Sequence, residues 1–194
     1  YVPIDENHPS VGQSPYSASK IAADQLAISY YKSFSMPVKI VRPFNTYGPR
    51  QSARAIIPTI ISQIVSNKEF IELGKLDPTR DFTFVNDTCN GFFEIYNSDS
   101  LNGECINIGM NSEISMISLA QKILNIMNVS LDIKSTDSRL RPNKSEVERL
   151  VCNNSKIIKY TNWKPQFKLE EGLKITIEWI KENIDFFKST NYNV

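Results

Sequence analysis

The sequence predicts an α/β fold, and three observations carry that expectation. Short β-branched runs alternate with longer helix-forming stretches along the whole chain, the order that builds strands flanked by helices. Pro37, Gly48-Pro49 and Pro165 fall between such runs, where they act as stops. A hydrophobic share of 41% over 194 residues is enough to bury a real core.

Each element follows from local chemistry. Ser14 can cap a helix that has Pro15 at its first position, and good helix formers then run to Phe34. "VKIV" (38–41) reads as a short buried strand, and "FNTYGPR" after it as a loop. In "AIIPTIISQIVSNK", Ile57, Ile60, Ile61 and Ile64 share one helical face. "FIELG" and "DFTFV" read as strands, and Asn86 or Asp87 then caps the helix "TCNGFFEIYN". "ECINIG" is strand-like, "ISLAQKILNIM" an amphipathic helix and "SLDIKS" a strand. Residues 136–150 are polar and read as a loop. "NSKIIKYTNWKP" is a short helix ending before Pro165, and "EEGLKITIEWIKENIDFF" a strong closing helix with a frayed tail. Trp163, Trp179 and the Ile and Phe stripes read as core.

Composition narrows the chemistry. Lys plus Arg (22) nearly balance Asp plus Glu (21), which gives no long-range pull on nucleic acid or an anionic membrane. Three scattered cysteines and a lone His8 offer no zinc spacing, and they suit a reducing cytoplasm. His8 reads as an ordinary loop residue. The longest apolar stretch, "AIIPTII", is far short of the roughly 20 residues of a membrane helix, so a soluble, cytoplasmic protein is expected.

"SPYSASK" places Tyr16 and Lys20 one turn apart on one helical face. A free phenol titrates at about pH 10, and a neighbouring ammonium favours its phenolate. The same ammonium can hold the ribose hydroxyls of a nicotinamide cofactor. Such a phenolate can take a proton from a carbinol while the cofactor takes the hydride. Tyr160 and Lys164 share the spacing but run straight into Pro165, which disfavours helix there. Seven glycines are scattered through the chain without the Gly-rich turn that seats a dinucleotide pyrophosphate.

"SPYSASK", "VRPFNTYGPRQ", "LGKLDPTRDFTFVND" and "RLRPNKSEVERL", in that order, resemble the extended short-chain dehydrogenase/reductase family. Within it they look like the NAD-dependent nucleotide-sugar epimerases and dehydratases, especially the 4,6-dehydratases that supply nonulosonic acids such as legionaminic acid. The resemblance implies the C-terminal part of a Rossmann-like parallel sheet, interleaved with a small α/β substrate-binding domain. Residues 1–50 and 81–110 would belong to the first, and 51–80 and 111–194 to the second.

The resemblance also assigns roles. Tyr16 would be the base and Lys20 its partner, both touching NAD. The backbone at Pro43 and Phe44 would lie near the nicotinamide. Asn45 would hold the substrate, since an amide offers a donor and an acceptor. Leu73 and Leu76 would lie against the nucleobase. Arg80 and Arg141 would fork onto the diphosphate of a nucleoside-diphosphate sugar, with Arg139 a weaker rival to Arg141. Tyr47, Arg50 and Arg54 are further candidates beside the "VRPFNTYGPRQ" motif, and Arg50 reads equally well as a surface charge. Lys144 stands where many relatives carry an acid for the nucleoside ribose, and Glu146 is the candidate substitute. A homodimer through the Tyr16 helix is also implied, with Ile21, Leu26 and Ile28 serving core or partner.

The implied reaction oxidises sugar C4, expels water across C5 and C6, and returns hydride to C6. A 4-epimerase, a related decarboxylase and a non-catalytic nucleotide-sugar-binding module are the alternatives. The acid/base pair for the water step lies upstream of the tyrosine in this family, and neither Asp5 nor Glu6 matches it. The expectation is therefore a C-terminal piece of a longer protein, inactive alone.

Overall fold

A computed structural model describes residues 1–136, 139 and 147–187. Helix α1 (Pro15–Phe34) begins at a reciprocal cap. The Ser14 hydroxyl accepts from the Ser17 amide, and the Ser14 amide donates to the Ser17 hydroxyl at 2.9 Å. It ends at Ser35 in the left-handed region, just ahead of Pro37. No residue of α1 is buried.

Strand β1 (Ile40–Pro43) pairs in parallel with β6 (Cys105–Ile108), Ile40 opposite Cys105 and Pro43 opposite Ile108. It starts two residues later than "VKIV" suggested, because the pairing with β6 begins at Ile40, whose amide donates to the Glu104 carbonyl at 2.9 Å; Pro43 fits the far end, where its missing donor costs nothing. The segment read as a loop after it forms strand β2 (Asn45–Tyr47), parallel to β5 (Phe82–Phe84). Its pattern was hidden because only Tyr47 of the three is fully buried. A third parallel pair joins β3 (Phe70–Leu73) to β8 (Asp132–Ser135). Strand β4 (Thr79–Arg80) lies between β7 (Ile114–Ser115), antiparallel, and β9 (Arg149–Leu150), parallel. These two-residue strands are too short to show a period, and β9 replaces the end of the expected 136–150 loop.

Helices fill the spaces between the pairs. Helix α2 (Ile56–Val65) buries the predicted stripe of Ile57, Ile60, Ile61 and Ile64, each worth about 2 kcal/mol of apolar burial. With α4 (Met116–Met127) and α6 (Leu169–Glu182) it encloses the larger core, which includes Tyr47, Ile71, Phe84, Leu119 and Leu173. A smaller core lies under β1 and β6, where Ile95, Ile106, Ile108, Ile157 and Trp163 meet. It draws on α3 (Val85–Tyr96) and α5 (Ser155–Tyr160).

Two expectations change here. Asp87 does not cap α3, which begins at Val85 with Phe84 as its cap residue. Its carboxylate is fully buried and accepts instead from the amides of Gln166 and Phe167, at 2.9 and 3.1 Å. The Phe stripe of α3 is not core: Phe92 is half-exposed and Phe93 is 68% exposed.

Candidate active site

The capped start of α1 presents Tyr16 and Lys20 together. Lys20 Nζ lies 5.6 Å from the centre of the Tyr16 ring, and Tyr16 is 72% exposed. Both line a cavity of about 520 Å³ whose other walls include Pro43, Phe44 and Asn45. The N-terminal segment closes one side. Ile4 bridges to Cys152, Glu6 accepts from the Asn107 amide at 2.9 Å, and His8 lines the cavity. His8, read as a plain loop residue, thus stands in the same cavity as Tyr16; nothing in its polar surroundings signalled that.

A second cavity, of about 550 Å³, shares Phe44 and Asn45 with the first. Its walls carry Leu73, Arg80, Arg54, Lys75 and Arg139, with Phe82 and Met116 supplying apolar surface. Arg80 Nη1 donates to the Thr79 carbonyl at 2.8 Å, and Arg139 lies 3.9 Å from Glu72. Phe44 and Asn45 line both cavities, so the link from β1 to β2 is common to a tyrosine–lysine chamber and a guanidinium-rich one.

Strand β4, which carries Arg80, is fixed just beyond its end. Asp81 is fully buried, and its carboxylate accepts from the Met110 amide at 2.8 Å and the Cys152 amide at 3.1 Å. Burial pushes its carboxyl above the ordinary range, against the opposing pull of those amides. Gly74, at the end of β3, leaves room for the Arg139 carbonyl, which a Cβ would overlap.

Not every expected residue reaches a cavity. Leu76 packs against the larger core and is not a wall residue of the arginine-lined cavity. Tyr47 is buried, with its hydroxyl donating to the Leu169 carbonyl; burial first, then Asp87 and Glu171, raise its titration. Arg50 has a φ of 64° and lines neither cavity. Arg141 and Glu146 lie outside the described residues. Asp24 and Arg42 were missed, although Asp24 stands one turn beyond Lys20 and Arg42 immediately before Pro43; both line the first cavity.

Comparison with known proteins agrees with this architecture. A human dTDP-D-glucose 4,6-dehydratase is 32% identical over 199 residues, covering 96% of this chain and 53% of its own. A UDP-glucuronate 4-epimerase of Thermodesulfobacterium geofontis is 34% identical over 176 residues, covering 91% of this chain and 53% of its own. The chain spans about half the length of these relatives. Among solved structures, dTDP-glucose 4,6-dehydratase from Bacillus anthracis in complex with NAD superposes with a TM-score of 0.86 at 28% identity, over 95% of this chain and 58% of that one. UDP-glucuronic acid 4-epimerase from Bacillus cereus, in complex with UDP-glucuronic acid and NAD, gives 0.85 at 26% identity, over 93% and 56%. The mixed α/β fold with parallel pairs is that of Rossmann-like dehydratases and epimerases. The GDP-mannose 4,6 dehydratase family matches residues 1–176, and the chain belongs to that family.

Proposed function

We propose that this chain is the tyrosine- and substrate-bearing part of an NAD-dependent nucleoside-diphosphate-sugar 4,6-dehydratase. One observation carries the reading: Tyr16 and Lys20 share a chamber whose far wall, Phe44 and Asn45, also bounds an arginine-lined chamber. A sugar at that wall would have its reacting carbon beside the phenol and its diphosphate among the guanidiniums.

The residues fit a nicotinamide ribose. Lys20 supplies an ammonium for its hydroxyls, and Pro43 and Phe44 supply an apolar wall. When bound, NAD would accept the hydride from C4 and later supply one. Tyr16 would take the C4 hydroxyl proton, with Lys20 stabilising the negative oxygen. Asn45 would orient the sugar. Arg80, with Arg54, Lys75 and Arg139 around the same cavity, would hold the diphosphate. Arg141 and Glu146 remain proposed contacts to diphosphate and ribose, and Leu73 to the base. By the same reading residues 1–50 and 81–110 form the cofactor-side domain, and 51–80 with 111–194 the substrate-side domain.

A 4-epimerase is the second reading, favoured by the 34% identity to the UDP-glucuronate 4-epimerase. Incubation with NAD and UDP-, dTDP- or GDP-sugars, of this chain alone and joined to a half carrying a Gly-rich dinucleotide turn, separates them by mass and by C4 configuration. Loss of water from the joined form supports the dehydratase. Inversion at unchanged mass supports the epimerase, and no reaction in either form refutes both. The reading extends to a homodimer through the exposed face of α1 that carries Leu26, Tyr30 and Phe34; a monomer by sedimentation velocity would refute that part.

A further inference from the structure

Helix α1 carries Tyr16 and Lys20, yet none of its residues is buried. The Tyr31 ring packs against Gly103 and holds the far end of the helix, so the direction of its cavity face depends on contacts nearer Tyr16. Among the described residues, one side-chain hydrogen bond joins α1 to the rest of the fold: Arg42 Nε donates to Asp24 Oδ2 at 2.7 Å. Both partners are largely covered, and both line the cavity that holds Tyr16 and Lys20. Tyr16, Lys20 and Asp24 are spaced by four, so they form one stripe along α1. Arg42 sits on β1, directly before Pro43, Phe44 and Asn45.

The choice of partner matters as well. Asp24 stands one turn after Lys20, where a lysine and an aspartate can pair along a helix. Arg42 takes the carboxylate instead, and Lys20 Nζ lies over the Tyr16 ring. An arginine fork holds a carboxylate in a fixed direction better than a lysine does.

We infer that Asp24 and Arg42 are a positioning pair: their bridge sets the Tyr16–Lys20 stripe against the wall of Phe44 and Asn45 and leaves Lys20 to the phenol. This rests on the reading of Tyr16 and Lys20 as the working pair. Nothing else in the cavity ties the helix to β1 by a side-chain hydrogen bond among the described residues.

The test measures position directly. Spin labels at Ala23→Cys on α1 and Asn97→Cys after α3, in a background with Cys89→Ser and Cys105→Ser, report the distance between α1 and the end of α3 in this chain. The parent protein should give one narrow distance. Asp24→Ala and Arg42→Gln should each broaden it and speed α1 amide exchange roughly fivefold. The double variant should do no more than either single, and Asp24→Glu should restore both readings. Affinity for UDP or dTDP by calorimetry should not change, because the arginine-lined cavity is built from other elements. In the form that turns over nucleotide sugar, kcat should fall about a hundredfold with KM retained. An unchanged distance in both single variants overturns the proposal. So does a broadened distance with full kcat, which would make the pair a tether only. If the distances behave as expected and no form turns over any nucleotide sugar, the positioning claim stands and the functional reading fails.

Discussion

The Tyr47 hydroxyl donates to the Leu169 carbonyl at 3.0 Å, joining the end of β2 to the first turn of α6. Gly172, one turn into α6, lets the ring approach: a Cβ there would overlap the Tyr47 hydroxyl and press on Phe84. Gly172→Ala should therefore destabilise the fold by about 2 kcal/mol despite its better helix propensity. Urea unfolding checks this. A gain in stability would show that α6 can shift without losing the contact.

Tyr16→Phe removes the proton acceptor and keeps the ring. In the joined, active form it should lower turnover by about 10²–10⁴-fold. Nucleoside-diphosphate affinity should be unaffected, since Tyr16 does not line the arginine-bearing cavity. Steady-state kinetics beside calorimetry decide the matter, and near-normal turnover would remove Tyr16 from the chemistry.

Arg80→Ala takes a charge from the wall expected to face the diphosphate. Loss of charge-assisted hydrogen bonds worth ~2 kcal/mol should weaken UDP or dTDP binding by roughly thirtyfold. The parent affinity should also fall with added salt, and the variant's less steeply. An unchanged affinity and salt slope would place the phosphates elsewhere.

Acid should weaken the β7–β4–β9 sheet slightly through Glu113. Its carboxyl titrates below the ordinary range because Arg149, and then Thr79, hydrogen-bond to it. A carboxylate depressed in the fold contributes stability above its unfolded titration at about pH 4.3, and that contribution is lost as pH falls through the lower folded value. Unfolding midpoints measured from pH 6 down should thus show a shallower acid limb in Glu113→Gln. The difference should be small, because the pair faces solvent.

The sequence made the long, periodic elements legible. The Ile57–Ile64 stripe, the Ser14–Pro15 start of α1 and the β-branched run of β6 all appear where local pattern placed them. The elements it hid are those fixed by distant partners. Strand β2 pairs with residues almost forty positions on, and its three residues cannot display an alternation. Asp87 looked like a cap because it stands near a helix start. Its partners, Gln166 and Phe167, lie in another part of the chain and could not be guessed from spacing. The site divides the same way. Tyr16 and Lys20 are local in one helix, so their placement side by side was readable. The joining of Arg54, Lys75, Arg80 and Arg139 around one cavity depends on how β3, β4 and α2 come together.

Phe44 and Asn45 serve as a party wall. An occupant of one chamber that shifts this short backbone would change the affinity of the other chamber for its own occupant. Any preference the first imposes on that peptide must be returned in equal measure by the second.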